Sequence, residues 1–175
     1  ICLVEIREIF SKGDIKKFIR FPITLYRNNP FYSAPLDMDE LQNLLKDQNA
    51  AYAYCDTRFW LAYRDGKIVG RICALHNRLA NQVWKVKRMR FTRFDFIDDP
   101  EVSDALMEKV TQWALELGLE ELQAWDSSLL AVLRARLDGL LAQRPIGVTL
   151  QIDESTAQVY DAKHSTLHPL FTKNS

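Results

Sequence analysis

The sequence has little of the residues that mark unusual chains, since its 175 residues include only 6 Gly, 6 Pro and 3 Cys. So few glycines and prolines exclude a collagen-like or low-complexity chain. Neither sign of charge is in excess, because 23 Lys and Arg balance 23 Asp and Glu. A protein that binds nucleic acid through general phosphate attraction usually has a basic surplus, so the balance argues against a nucleic-acid partner.

The three cysteines, Cys2, Cys55 and Cys73, lie far apart and form no CxxC pair. This spacing implies neither a zinc ribbon nor a disulfide framework, and it predicts free, mostly buried thiols in a reducing compartment. No run approaches the ~20 apolar residues of a membrane span, and the first residues are typical of a strand rather than a signal peptide. We therefore expect a cytoplasmic protein with no membrane partner.

Composition and hydrophobic periodicity predict one globular domain of mixed structure, at 47% hydrophobic and 26% charged residues. We place it at 1–162, with a polar C-terminal tail at 163–175. Alternation of apolar residues predicts strands at 3–10, 57–64, 67–76, 91–97, 119–125, 147–152 and 157–162. Helical spacing predicts helices after Ser11, interrupted or kinked at Pro22, and at 37–49, 100–117 and 127–142.

Local signals sharpen this pattern at three places. Asp65-Gly66 predicts a hairpin between two strands. Pro100, which directly follows Asp99, predicts the start of a helix. Residues 78–90 are basic, and we expect them to be irregular. The order of elements predicts an α/β (α+β) fold, in which helices flank a mixed, mostly antiparallel sheet.

Three stretches carry a resemblance to a known superfamily. They are Phe21-Pro22 followed by Leu25-Tyr26, Asn29-Pro30 and Pro35-Leu36; residues 59–71 (FWLAYRDGKIVGR); and residues 94–102 (FDFIDDPEV). With the order of elements, they resemble the GNAT superfamily of N-acetyltransferases, in an uncharacterised bacterial branch, over about residues 3–123.

The resemblance implies transfer of an acyl group from acetyl-CoA or another acyl-CoA to a primary amine on a small molecule or peptide. The donor would lie between strands 91–97 and 119–125, with its pyrophosphate on the N-terminus of helix 100–117. Free backbone N–H groups and the helix dipole bind phosphate at such a position. The residues implied to bind the donor are Phe96, Ile97, Asp98, Val102, Ser103 and Asp104.

The resemblance also suggests two catalytic candidates. Asp95 lies mid-strand beside the implied donor groove and could remove the proton of the ammonium group. The alternative is a structural carboxylate paired with Arg93 or Arg71. Family members often use a tyrosine as general acid after the helix at 127–142, and Tyr160 is the nearest tyrosine.

The loop before helix 100–117 departs from the family pattern. It contains no glycine, Pro100 lacks an N–H group, and four acids would repel a pyrophosphate: Asp98, Asp99, Glu101 and Asp104. These acids either cap the helix or indicate an altered donor site. The departure supports a second hypothesis, a non-catalytic GNAT-like module that binds a ligand or partner without CoA.

Other residue groups leave alternatives open. The aromatic residues Tyr26, Phe31 and Tyr32, with Phe21, line an acceptor pocket or form core around Pro22. The basic stretch 76–93 contacts the 3′-phosphate of CoA, an acidic substrate or RNA, or forms a solvated loop with ion pairs. His164 and His168 are four apart, but Pro169 disfavours a helix, so we predict no metal site. An incomplete sheet would favour a homodimer.

Overall fold

The computed structural model describes residues 3–30, 32, 34, 36–125, 147–151, 158–161 and 166–169. Its helices are α1 (Lys12–Leu25), α2 (Asp37–Leu44), α3 (Arg78–Trp84) and α4 (Pro100–Glu116), with a short 3₁₀ helix at Ala50–Ala53. Its strands are β1 (Glu5–Glu8), β2 (Cys55–Arg64), β3 (Lys67–Asn77), β4 (Arg88–Phe96), β5 (Glu121–Trp125), β6 (Gly147–Gln151), β7 (Gln158–Asp161) and β8 (Thr166–Pro169). The described residues within 1–73 and 93–107 form a first compact unit, and those within 74–92 and 108–175 form a second.

The sheet of the first unit follows the order β1-β2-β3-β4. Strand β1 pairs antiparallel with β2, so that Glu5 lies opposite Tyr63. Two residues, Asp65 and Gly66, join β2 to β3, and their φ angles are both positive, at 51° and 72°. This sign pattern is that of a type I′ turn, whose twist matches that of paired strands. The predicted hairpin is therefore confirmed.

Helices cover both faces of the sheet in the first unit. On one face, α1 and α2 contribute to a cluster made of Ile9, Ile15, Phe18, Ile19, Leu44, Phe59, Leu61 and Cys73. The rings of Phe18 and Phe59 meet edge to face there, with centroids 5.5 Å apart. Because side chains alternate along a strand, Gly70 faces the opposite side from Cys73. On that side α4 comes so close to β3 that a Cβ added to Gly70 would lie 2.8 Å from Leu106.

The sheet of the second unit follows the order β3-β4-β5-β6-β7-β8. Strands β4 and β5 are parallel, from Arg88 opposite Glu121 to Phe91 opposite Ala124. The β5–β6 pair is also parallel, whereas the β6–β7 and β7–β8 pairs are antiparallel. The sheet is mixed and mostly antiparallel, and helices flank it, which confirms the predicted fold class.

Several elements differ from the sequence predictions. Residues 78–90 are not irregular, because they hold α3 and the start of β4. The side chain of Asn77 begins α3 by accepting a hydrogen bond from the Ala80 amide at 2.8 Å. Strand β8 lies within 163–175, where a polar tail was expected; the domain boundary at 162 stays a prediction. The predicted helix 127–142 lies outside the described residues.

Candidate functional site

A buried ion pair joins β3 to β4 in the first unit. The Nε of Arg71 donates to Oδ2 of Asp95 at 2.7 Å, with side chains 9% and 6% exposed. The hydroxyl of Tyr26 donates to the other oxygen, Oδ1, at 2.8 Å. The Nη1 of Arg71 also donates to the Phe18 carbonyl at 2.8 Å.

The bond from Arg71 to the Phe18 carbonyl explains how α1 continues through a proline. In an α-helix, the N–H of the residue four positions later donates to each carbonyl. For Phe18 that residue is Pro22, which has no N–H group. The Arg71 guanidinium supplies the missing donor. Because the guanidinium replaces the missing N–H donor, α1 neither stops nor restarts at Pro22 but runs on to Leu25.

Asp95 is therefore a carboxylate with both oxygens engaged. Of the two partners that sequence analysis considered, the structure pairs it with Arg71. Asp95 and Arg71 are buried, whereas Tyr26 is half-buried. The hydrogen bond from Tyr26 therefore connects the buried ion pair to the surface of the first unit. The role of Asp95 as a base stays a prediction.

Tyr32 completes what we call the tyrosine–aspartate cluster, formed by Tyr26, Tyr32, Arg71 and Asp95. The rings of Tyr26 and Tyr32 are tilted against each other, with centroids 4.9 Å apart. Burial raises the pKa of the Tyr32 phenol above its ordinary value of 10.0, so Tyr32 is protonated at neutral pH. Phe31, the third aromatic candidate for the acceptor pocket, lies outside the described residues.

Strand β4 contains a backbone feature that the sequence does not reveal. Arg93 adopts φ 51°, in the left-handed region that disfavours residues other than glycine. Its guanidinium donates two hydrogen bonds, of 2.8 and 3.0 Å, to the two carboxylate oxygens of Glu40 on α2. A two-point bond of this kind fixes direction as well as distance. Glu40 therefore fixes the position of the Arg93 guanidinium. Opposite charge was the only sequence signal for this pair.

Replacing Glu40 with glutamine should destabilise the protein more at neutral pH than in acid. The hydrogen bond from Arg93 is the main cause that lowers the pKa of Glu40 below its ordinary value of 4.5. A lowered pKa gives stability that is fully present above about pH 4.5 and is lost as the pH falls through the folded-state pKa. We expect a loss of about 1–2 kcal/mol in urea unfolding at pH 7, and a smaller loss at pH 3. An equal loss at both pH values would contradict the assignment.

The N-terminus of α4 is capped by its own residues. Oδ1 of Asp99 accepts from the Glu101 amide at 2.9 Å. The Asp99 carbonyl accepts from the amides of Val102 and Ser103, at 3.1 and 3.3 Å. Pro100 has no N–H group to offer. The amides of Glu101, Val102 and Ser103 therefore all bond to Asp99, the residue before α4, which supports the interpretation of Asp99 as a cap.

A cation on β2 binds two of the acids at this terminus. Arg64 donates to Oδ2 of Asp99 and, at 3.0 Å, to Oε2 of Glu101. The hydrogen bond from Arg64 is the main cause that lowers the pKa of Asp99, so this carboxylate is charged at neutral pH. The negative charge at the start of α4 is thus partly balanced from within the chain.

The structure brings together the six residues that the resemblance implies for donor binding, at the junction of β4 and α4. The Ile97 amide donates to the Val69 carbonyl at 2.9 Å, and the Ser103 hydroxyl donates to the Pro100 carbonyl at 3.0 Å. The exposure of the six differs: Val102 and Ser103 are buried, Asp98 is exposed, and Phe96, Ile97 and Asp104 are half-buried. A role for these residues in binding a donor stays a prediction.

The remaining candidates lie in the second unit. Tyr160 is in β7, where its backbone lies opposite Leu167, and its role as an acid stays a prediction. His168 is in β8 opposite Val159, whereas His164 lies outside the described residues. In the part of the chain that the structure describes, no three His, Cys, Asp or Glu residues are grouped to hold a metal. Across the same residues, no helix has both the length and the apolar character needed to cross a bilayer.

Sequence comparison finds curated relatives that match only part of this chain and a smaller part of their own length. No family model matches the chain. Protein YghO of Escherichia coli (strain K12) is 31% identical over 117 residues, which is 67% of this chain and 30% of that protein. Bacterial ceramide synthase of Caulobacter vibrioides (strain NA1000 / CB15N) is 29% identical over 104 residues, or 59% of this chain and 27% of that protein. The matched part is thus less than a third of either relative.

Structure comparison finds solved acetyltransferases at low sequence identity. An aminoglycoside acetyltransferase, meta-AAC0020 from an uncultured soil metagenomic sample, has a TM-score of 0.53 at 17% identity, over 77% of this chain and 86% of that one. The aminoglycoside N-acetyltransferase AAC(6')-Iy in complex with CoA has a TM-score of 0.54 at 14% identity, over 80% and 88%. A tandem GNAT protein from the clavulanic acid biosynthesis pathway has a TM-score of 0.52 at 14% identity, over 76% and 43%. The chain has the fold of the GNAT acetyltransferases.

Proposed function

We propose that this chain acts as an N-acyltransferase, which moves an acyl group from an acyl-CoA to a primary amine. The observation that carries the proposal is the tyrosine–aspartate cluster, in which a buried carboxylate reaches a half-buried phenol. The acetyltransferase fold supports it. So does the similarity to a ceramide synthase, because a ceramide is a long-chain amine acylated on nitrogen. We therefore choose a long-chain amine as the first acceptor to test.

The proposed reaction needs one proton removed and one supplied. The amine nitrogen attacks the thioester carbonyl carbon, a C–N bond forms, and the C–S bond breaks as the thiolate leaves. Tyr26 takes the ammonium proton while its own hydroxyl proton passes to Asp95, 2.8 Å away. Tyr32, protonated at neutral pH, is the candidate that gives a proton to the thiolate. In this scheme Tyr26 and Tyr32 are catalytic, whereas Asp95 and Arg71 act through Tyr26.

Replacing Tyr26 with phenylalanine should lower kcat at least tenfold, because general acid–base groups contribute about 10²–10⁴ in rate. The assay combines the protein with palmitoyl-CoA or acetyl-CoA and sphinganine, and follows amide formation by mass spectrometry and thiol release by absorbance.

The matched control for this variant is Tyr54→Phe, which removes a hydroxyl from a tyrosine that is 41% exposed. We expect its kcat and pH profile to equal those of the unaltered protein. Equal activity of Tyr26→Phe and Tyr54→Phe would remove Tyr26 from the reaction. Amide formation by neither variant nor the unaltered protein, with any acyl-CoA, would contradict the transferase itself.

A second function is favoured by the N-terminus of α4, whose first-turn amides are engaged by Asp99. A helix start of this kind offers a pyrophosphate fewer free donors than an uncapped one. The second candidate is therefore a non-catalytic module that binds a ligand or partner without CoA. Calorimetric titration with acetyl-CoA and palmitoyl-CoA separates the two functions. Micromolar binding supports the transferase, whereas no binding together with no amide product supports the module.

A further inference from the structure

A groove opens between α1 and α2 in the first unit. Its volume is about 210 Å³, and most of the surface that lines it is apolar. Six residues line it: Lys16, Ile19 and Arg20 from α1, and Asp37, Met38 and Leu41 from α2. Residues three and four positions apart share one face of a helix, so each helix turns a single face toward the groove. The groove is therefore formed by two packed helices.

Three apolar side chains line the groove. Ile19 is buried, Leu41 is half-buried and Met38 is 73% exposed, so the apolar surface continues from the core out to solvent. The unbranched side chain of Met38 adapts its shape to what it contacts. Removing apolar surface of this kind from water is favourable. The groove therefore favours a ligand with an apolar part.

Most of the charges on the two helices are paired. Three ion pairs account for them: Arg20 with Asp37 at 3.3 Å, Lys17 with Asp14 at 3.1 Å, and Arg93 of β4 with Glu40 at 2.8 Å. Lys12 and Lys16 remain on α1, and among the residues that the structure describes, neither has an acid within ion-pair distance. Asp39 remains on α2, but it lies about 200° around the helix from Leu41 and does not line the groove. The lining residues therefore have a net positive charge, that of Lys16.

The groove has a charged end and a neutral end. Lys16 and Arg20 are four residues apart on α1, which separates them by about 6 Å along the helix axis. Arg20 is neutralised by Asp37. Lys12 lies one turn before Lys16, as the first residue of α1, where the helix dipole adds positive potential. An anionic group is therefore best placed at the Lys16 end.

We propose that this groove binds a medium-chain carboxylate, with its hydrocarbon chain against Ile19, Met38 and Leu41 and its carboxylate beside Lys16. An apolar cavity of about 150 Å³ holds benzene, which has six carbons, so about 210 Å³ corresponds to roughly eight carbons. Because Lys16 itself borders the apolar surface, the matching charge lies at the end of the chain. An acyl-CoA has a neutral thioester at that point and carries its charges many bonds away. The inference is independent of the proposed enzymatic activity.

Chain length provides the first test, in which the protein is titrated with butyrate, hexanoate, octanoate and decanoate and followed by two-dimensional NMR of its amides. We expect octanoate to shift the amides of residues 15–20 and 37–42. Each added methylene should strengthen binding about fourfold up to octanoate, and the gain should then level off. Decanoate binding more than tenfold tighter than octanoate would contradict a groove of this size. Shifts at neither helix would overturn the proposal.

The charge of Lys16 provides the second test. Lys16→Glu should weaken octanoate binding about tenfold at low ionic strength and make the groove prefer octylamine, which has the same chain with a cationic end. Lys67→Glu, at an exposed position beside the β2–β3 turn, is the matched control and should leave both affinities unchanged. Equal effects of the two variants would overturn the placement of the carboxylate. So would tighter binding of octylamine than of octanoate to the unaltered protein, because that result assigns the groove to a cationic chain.

The apolar contact provides the third test. Met38→Ser changes an exposed side chain rather than a core one, and it should weaken octanoate binding at least threefold. Leu115→Ser, which changes a leucine on α4 that is 49% exposed, is the matched control and should leave octanoate binding unchanged. Circular dichroism checks that both variants keep their helices. Unchanged octanoate binding by Met38→Ser would exclude α2 from the site and overturn the proposal.

Discussion

Replacing Asp95 with alanine is expected to lower the free energy of unfolding by about 3–5 kcal/mol. Asp95 is the carboxylate partner of Arg71, which is 7% exposed, so its removal leaves a buried guanidinium without its counter-charge. The Tyr26 hydroxyl loses its acceptor in the same variant. Urea unfolding followed by circular dichroism at pH 7 measures the loss. A loss below about 1 kcal/mol would show that the pair contributes no more than an exposed one.

A double variant separates loss of the pair from loss of one partner. Arg71→Met/Asp95→Leu removes both charges, so we expect it to be more stable than Asp95→Ala alone. It should remain below the unaltered protein, because the Phe18 carbonyl still lacks the donor that Pro22 cannot supply. The exposed pair of Glu5 and Arg7 is the matched control. Glu5→Ala should leave the urea midpoint unchanged.

Replacing Gly70 with valine is expected to cost about 2–3 kcal/mol, because β3 and α4 leave no room for a side chain. An added Cβ would lie 2.8 Å from Cδ1 of Leu106 and from Cγ1 of Val102, and 3.2 Å from Cβ of Phe96. Leu106 and Val102 are fully buried, so moving their side chains aside would disturb the core around them. Gly70→Ala should cost less than Gly70→Val, since it adds one carbon rather than three.

The control for this prediction is the same substitution at another glycine. Gly13 is the second residue of α1, and the nearest atom to an added Cβ is Oγ of Ser11, at 3.8 Å. Alanine favours a helix over glycine by up to ~1 kcal/mol, so Gly13→Ala should raise stability. Opposite signs for Gly13→Ala and Gly70→Ala would confirm the close approach of β3 and α4. A Gly70→Ala variant as stable as the unaltered protein would contradict it.

Sequence reasoning succeeded where a few neighbouring residues determine the structure. Asp65 and Gly66 tolerate positive φ, and this local chemistry was enough to predict the hairpin. The sequence Asp99-Pro100 was enough to predict where α4 begins. The prediction for residues 78–90 was wrong because it relied on their basic composition. A single capping residue, Asn77, starts α3 there.

Contacts between distant segments could not be predicted in the same way. From the sequence, Asp95 has two alternative partners: Arg71 on another predicted strand, or Arg93 two residues away on the same predicted strand. The structure assigns Arg71 to Asp95 and gives Arg93 to Glu40. Tyr26 and Asp95 are 69 residues apart, so no local pattern indicates their hydrogen bond. The tyrosine–aspartate cluster therefore depends on the packing of α1 against the sheet.

The β2–β3 hairpin and the parallel pair of β4 and β5 also differ in how fast the chain can form them. Two residues join β2 to β3, whereas Arg88 and Glu121, paired across β4 and β5, are 33 positions apart. A longer connection loses more entropy on closing, and a parallel pair requires a crossover segment. During refolding, the hairpin therefore forms early and β5 joins β4 late. In that interval the unpaired edge of β4 is the place where two refolding chains would associate and aggregate.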